Sequence, residues 1–149
     1  MDVIEDAVVK QEVSDNDRTE IVVQNKNQTN SDSYSDYVSM NLIDVDFDKL
    51  KKINSDVRGW IFVNGTKVNY PFVQANDNKY YLKHSFDKSY NSAGWVFLDY
   101  RNDLSTFSDK NTILYAHNMR NKTMFGTLTS ILSNGWLNNS DNYVIKLST

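Results

Sequence analysis

Apolar residues recur along the chain in short, separate runs, and the spacing within each run predicts an element. Phe47, Leu50, Ile53 and Val57 fall three or four residues apart. That spacing makes one apolar stripe and predicts a helix over about Asp46 to Val57, capped by Asp44 or Asp46. Arg58-Gly59 ends it and leads into Trp60-Ile61-Phe62-Val63, read as a strand. Asn64-Gly65 marks a turn, since both residues tolerate positive φ. Lys67 to Val73 then returns as the second strand of a hairpin, with Pro71 placed at an edge or a strand end, where its missing N–H does no harm.

Residues 74–93 carry Tyr80, Tyr81, Leu82, Phe86 and Tyr90 among Asn, Asp, Lys and Ser, which predicts a long loop with a helical turn, packed by its rings. Ala93 to Asp99 reads as a strand buried on both faces, and Asn111 to Ala116 as another. Met124, Phe125, Leu128, Ile131 and Leu132 fall at helical spacing and predict a short helix over about Thr123 to Leu132, closed by Gly135, with Trp136 and Leu137 packed behind. Tyr143 to Leu147 is a final strand. Strands outnumber helices without regular alternation, which predicts a mainly β barrel or sandwich decorated by helices.

The pattern fails at the N-terminus. The stretch Gln24 to Ser33 has no large apolar residue, and a run of that kind cannot bury enough surface to offset its ordering entropy. Residues 1–43 are therefore expected to be a disordered polar linker, with the folded domain in 44–149. The chain has 149 residues, 40% of them hydrophobic, which suffices for one small domain.

Charge narrows the function classes. With a net charge of −3 and no basic stripe, nothing favours nucleic acid. Lys49, Lys51 and Lys52 follow Asp44, Asp46 and Asp48, the arrangement of a helix with acids at its start and bases further along. No run approaches the roughly 20 apolar residues of a membrane helix. Met1 to Asp6 opens with acids, unlike a secretory signal. The sequence holds no cysteine, so disulfides, thiolate metal sites and thiol catalysis by these residues are excluded.

The candidate chemistry centres on His117. The run Ile113-Leu114-Tyr115-Ala116 delivers it to the end of a strand, and the polar turn Asn118 to Lys122 follows. A histidine just past a buried strand is held by the scaffold yet reaches the surface, where a general acid/base is useful; a plain surface histidine in a turn is the bland alternative. His84 sits in a loop and reads as structural. A metal site built from His84, His117 and Asp99 lacks any supporting spacing, and no cofactor is expected. Asp99-Tyr100-Arg101-Asn102-Asp103 ends a buried strand and reads first as a strand-to-loop transition with local backbone bonds. Ser148 and Thr149 have no activating partner in the sequence.

Six segments occur in an order that resembles one family. They are Asn54 to Ile61, Thr66 to Gln74, Tyr80-Tyr81-Leu82, Gly94 to Asn102, Tyr115-Ala116-His117-Asn118-Met119 and Met124-Phe125-Gly126-Thr127-Leu128. In this succession the chain resembles the class B sortases, cysteine transpeptidases of the outer face of Gram-positive cell membranes. The resemblance implies a β-barrel with flanking helices. It implies cleavage of a C-terminal sorting signal of the Asn-Pro-x-Thr-Asn type and attachment of the surface protein to an amine of peptidoglycan or its precursor. The partners it implies are thus a sorting-signal peptide and that amine, with a membrane contact made through an anchor.

The same resemblance implies three active side chains: a thiolate nucleophile, a histidine that moves protons, and an arginine that steadies the oxyanion or the substrate. Only the histidine carries over, as His117. Leu147-Ser148-Thr149 is similar to the segment that precedes the family's cysteine. Yet His117 lies 32 residues (149 minus 117) from the last residue, and the family places a far longer stretch, including a long helix, between the two. Tyr143 to Leu147 is accordingly read as the earlier strand, and neither Arg101 nor Arg120 substitutes for the missing arginine. The expectation is a sortase-type barrel incomplete at its C-terminal end, truncated before its cysteine and arginine and inactive alone. The alternative is a non-catalytic module that binds a cell-wall or sorting-signal peptide.

Overall fold

The computed structural model describes residues 44–106 and 108–149; the polar linker expected over 1–43 lies outside them. The first element is helix α1, Phe47–Ile53, which buries Leu50 and is capped by the Asp46 carboxylate on the Lys49 N–H. Asp48 in its first turn and Lys51 and Lys52 in its last suit the helix dipole. It stops four residues earlier than its apolar spacing predicts. Asn54 is already extended, because its side chain is committed elsewhere: its Nδ2 donates to the Tyr81 hydroxyl and the Phe86 carbonyl. Val57 consequently opens the first strand, β1 (Val57–Val63).

β1 pairs antiparallel with β2 (Asn69–Val73), and the turn between them places Gly65 at φ +68°. Three further strands complete one sheet: β3 (Phe97–Leu98), β4 (Leu114–Tyr115) and β5 (Ile145–Ser148), in the order β4-β3-β2-β1-β5. β2 joins β3 in parallel, and the other neighbours are antiparallel. The sheet with short helices is the mainly β architecture that the sequence predicts.

Pro71 differs from expectation, since it lies inside an interior strand, opposite Trp60. Strand alternation explains why this costs nothing. The Val73 N–H bonds the Val96 carbonyl on the β3 side, so the ring nitrogen of Pro71, two residues away, points to the same side. There β3 pairs at Val73 and not at Pro71, and the Pro71 carbonyl accepts the Trp95 indole N–H at 2.8 Å.

Each face of the sheet carries a core, built on β1, β2 and β3. On one, Leu50, Val57, Trp60, Val73, Tyr81, Phe86 and Phe97 form a core; on the other, Ile61, Val63, Val68, Phe72, Val96, Leu98 and Met124 do, and Trp95 packs against both. The helix expected over Thr123–Leu132 is replaced by a turn and a 3-10 helix, Leu128–Leu132. Met124 takes φ +51° and bridges Asn118, and Leu132 is 81% exposed, so Met124, Phe125 and Leu128 reach the core without forming one face of a helix. Gly135 lies inside helix α2 (Asn134–Leu137) and does not close the preceding helix. Among the described residues no helix is long and apolar enough to cross a membrane.

Candidate active site

His117 follows β4 by two residues, and its backbone is fixed before its ring is considered. Its carbonyl accepts the Phe125 N–H at 3.1 Å, and Asn118 and Met124 form a β-bridge across the loop. The Met124 N–H in turn donates to the Tyr70 hydroxyl at 3.1 Å, which ties this loop to β2. The ring is held by one bond, Nδ1 to the Ala93 carbonyl oxygen at 2.9 Å. A carbonyl can only accept, so Nδ1 carries a proton and the neutral ring presents its lone pair on Nε2.

Ala93 is placed by its own turn. Its N–H donates to the Asn91 side chain, and Gly94 follows at φ +61° with its N–H on the Asn91 carbonyl. A side chain at Gly94 would put Cβ 2.4 Å from the Tyr81 carbonyl oxygen, so the turn that presents Ala93 to His117 requires glycine.

His117 stands at one side of a cleft of about 310 Å³ that is lined also by Asn78, Leu82, Phe97, Tyr115 and Ala116. Tyr115 and Phe97 are cross-strand partners with ring centroids 5.2 Å apart, and both rings belong to residues that line it. The 3-10 helix Tyr80–Leu82 brings Leu82 to its lining.

Behind this cleft lies Asp99, 1% exposed at the end of β3. Its carboxylate accepts a two-pronged bond from Arg101, Nε to Oδ1 at 2.9 Å and Nη2 to Oδ2 at 2.8 Å. The Arg101 N–H, Asn78 Nδ2 and the Tyr115 hydroxyl also donate to it, each at 2.9 Å. The Arg101 guanidinium and these further donors hold Asp99 far below the usual carboxylate range, and Asp99 in turn holds the Tyr115 phenol above its ordinary value.

The sequence candidates therefore separate. His117 is brought to a cleft. His84 is elsewhere: it stacks on Tyr80 at 4.0 Å, and its Nδ1 bonds the Tyr80 carbonyl. Among the described residues no group of His, Asp or Glu converges in a way that could hold a metal. Ser148 is on β5, at the opposite end of the sheet from β4. The local backbone bond expected of Asp99 or Asn102 is made by Asp99, to the Arg101 N–H, whereas the Asn102 side chain reaches Asn111 and Ile113; Asp99 also reaches two residues that line the cleft. Asn78 carries no signal in the sequence, since it stands in a polar stretch and gains its place through a partner 21 residues away.

No family model matches the chain. It is 43% identical over 88 residues to sortase B of Listeria monocytogenes, and 42% identical over 86 residues to sortase B of Staphylococcus aureus. These matches cover 59% and 58% of this chain and 35% of each relative, so the chain matches about a third of the length of either. Its fold superposes on Staphylococcus aureus sortase B in complex with substrate, and on a sortase B in complex with triglycine, each with a TM-score of 0.63 and 36% identity. The substrate-complex superposition covers 69% of this chain and 46% of that one.

Proposed function

We propose that this chain, a class B sortase homologue in sequence and in fold, supplies the proton-transfer half of a sortase active site. The cleft beside His117 holds a sorting-signal peptide. His117 Nε2 first takes the proton of the attacking thiol, gives it to the amine that leaves when the peptide bond is cut, then takes a proton from the incoming amine and returns it to the departing thiolate. One observation carries this reading: the bond from His117 Nδ1 to the Ala93 carbonyl fixes the ring with Nε2 as its working atom, at the edge of a cleft. That sortase B has been solved with substrate and with triglycine supports a peptide and an amine as the two partners. Homology to these enzymes supports a place at the outer face of a Gram-positive membrane.

These 149 residues hold no cysteine. Under this reading the thiolate, and an arginine to steady the oxyanion, have to be supplied to this cleft from another source. The same absence favours a second reading, in which the cleft binds a sorting-signal or cell-wall peptide without cutting it.

Titrating a sorting-signal peptide into the isotope-labelled chain tests the common ground. Resonances of Leu82, Tyr115, Ala116 and His117 should shift together, and a peptide that leaves them unmoved overturns both readings. Supplying the thiol-bearing remainder of a class B sortase domain separates the two. Under the first reading cleavage appears and drops by about 10²–10⁴-fold in His117→Ala; binding without cleavage selects the second.

A further inference from the structure

The two sides of the cleft are not independent. Asn78 precedes the 3-10 helix Tyr80–Leu82, and Tyr115 lies in β4, yet both donate to the same oxygen, Oδ2 of Asp99, at 2.9 Å each. Arg101 Nη2 is a third donor to that atom, and Oδ1 is occupied by the Arg101 N–H and Nε. Asp99 itself is fixed by its backbone: its N–H bonds the Ile113 carbonyl, and its carbonyl accepts from Gln74 Nε2 and the Asn102 N–H. The amide of Asn78 has its orientation set by the same partners. The carboxylate can only accept from Nδ2, and the Tyr100 N–H donates to Oδ1 at 3.0 Å.

We infer that Asp99 is a positioning residue of the His117 cleft, coupling Asn78 and Tyr115 through one carboxylate oxygen so that both keep the geometry in which peptide is bound. A buried carboxylate used purely to end a strand needs backbone donors nearby. This one has the Arg101 N–H and guanidinium nearby and takes two further donors from distant segments, Asn78 and Tyr115, both of which line the cleft. Charge-assisted bonds of this sort are stronger than neutral ones and fix geometry as well. Arg101 is the counter-ion that lets the carboxylate stay charged while buried; its own side chain is 65% exposed, so its charge remains hydrated.

The inference rests on the reading of the cleft as a peptide site, and its test has arms with and without peptide. Without peptide, Asp99→Asn should lower the titration midpoint of Tyr115 and move the Asn78 side-chain amide resonances, while a cooperative melt shows that the domain is intact. Tyr115→Phe, which keeps the ring, should also move the Asn78 amide resonances, because the two share an acceptor. Unmoved Asn78 signals in Tyr115→Phe overturn the coupling, and they do so even if Asp99→Asn fails to fold. With a sorting-signal peptide, Asp99→Asn should bind roughly tenfold more weakly, the change expected when one well-placed polar contact is lost, and Asp99→Glu should recover part of that. Unchanged affinity in a folded Asp99→Asn overturns the positioning role. A wild-type chain that binds no peptide removes the peptide reading and leaves the peptide-free arm to decide the coupling.

Discussion

The ring of His117 hangs from the backbone of Ala93, Nδ1 to carbonyl oxygen at 2.9 Å, across 24 residues of chain. That bond selects one tautomer of the neutral ring. Nitrogen NMR of the labelled chain with the ring neutral should find Nδ1 protonated and Nε2 bare. The reverse assignment would show that the ring does not hold this position in solution.

Gly94 maintains that bond from a distance. It sits at φ +61°, and a Cβ there would meet the Tyr81 carbonyl oxygen at 2.4 Å and the Leu82 carbonyl oxygen at 2.8 Å. Gly94→Ala should destabilise the domain by about 1–3 kcal/mol from the backbone strain alone, which lowers the melting temperature by roughly 4–8 °C per kcal/mol in a domain of this size. The displaced turn should also move the His117 ring resonances. A variant that melts like the parent and leaves those resonances in place would sink the assignment of Ala93 as the ring's anchor.

His117 and its strand were legible in the sequence because the signal is local: four apolar residues and then a polar turn, held together by nearest-neighbour pairing with β3. The hairpin of β1 and β2 was legible for the same reason, through Asn64-Gly65. Where the signal is not local, sequence fails. Asn54 ends α1 early because of partners 27 and 32 residues away. The spacing of Met124, Phe125 and Leu128 imitates a helix although Met124 has a left-handed backbone that no helix allows. Asn78 looks like any loop asparagine until the fold sets it beside Asp99.

Asn54 should be among the costlier polar residues to remove. It is 1% exposed, donates to the Tyr81 hydroxyl and the Phe86 carbonyl, and accepts the Asp56 N–H. Asn54→Ala leaves these groups without that partner, at about 1–3 kcal/mol for each one left buried and unpaired. Chemical denaturation should show the loss as a lower midpoint at unchanged slope. Tyr81→Phe, which deletes the hydroxyl alone, should cost less. A midpoint for Asn54→Ala equal to that of the parent would mean that water enters and satisfies the site.

Acid should unfold this domain through its carboxylates. Arg101 and the other donors hold Asp99 well below the usual range; at Asp56 burial pushes upward, but the Tyr81 hydroxyl and Lys88 outweigh it. A carboxylate depressed in the folded state stabilises fully above its unfolded value of about 3.9 and loses that contribution as pH falls toward the folded one. Stability should therefore be level above about pH 5 and decline steadily below it. Asp99→Asn should flatten that decline. An equally steep acid limb in the variant would show that Asp99 contributes little to it.

The last strand sets how the isolated chain behaves in concentrated solution. β5 pairs with β1 on one side, and among the described residues no further strand pairs with it on the other. Leu147 stands opposite the core residue Ile61, and Ile145 opposite Val63, so the face that is buried on β1 continues onto β5. There it is open: Ile145 is 66% exposed and Leu147 44%, with Tyr143 at 60% beside them in the chain. An outer strand with an uncovered apolar face is a template for association, and natural edges are commonly blunted by charge, lysine above all. The isolated chain should therefore bind apolar dyes and self-associate as its concentration rises. Ile145→Lys should reduce both with little loss of stability, since a side chain already in water gives up little burial. Sedimentation or size-exclusion measurements across a concentration series decide this. A parent chain that stays monomeric at high concentration, or an Ile145→Lys variant that associates as strongly as the parent, would show that this face is not the one that drives assembly.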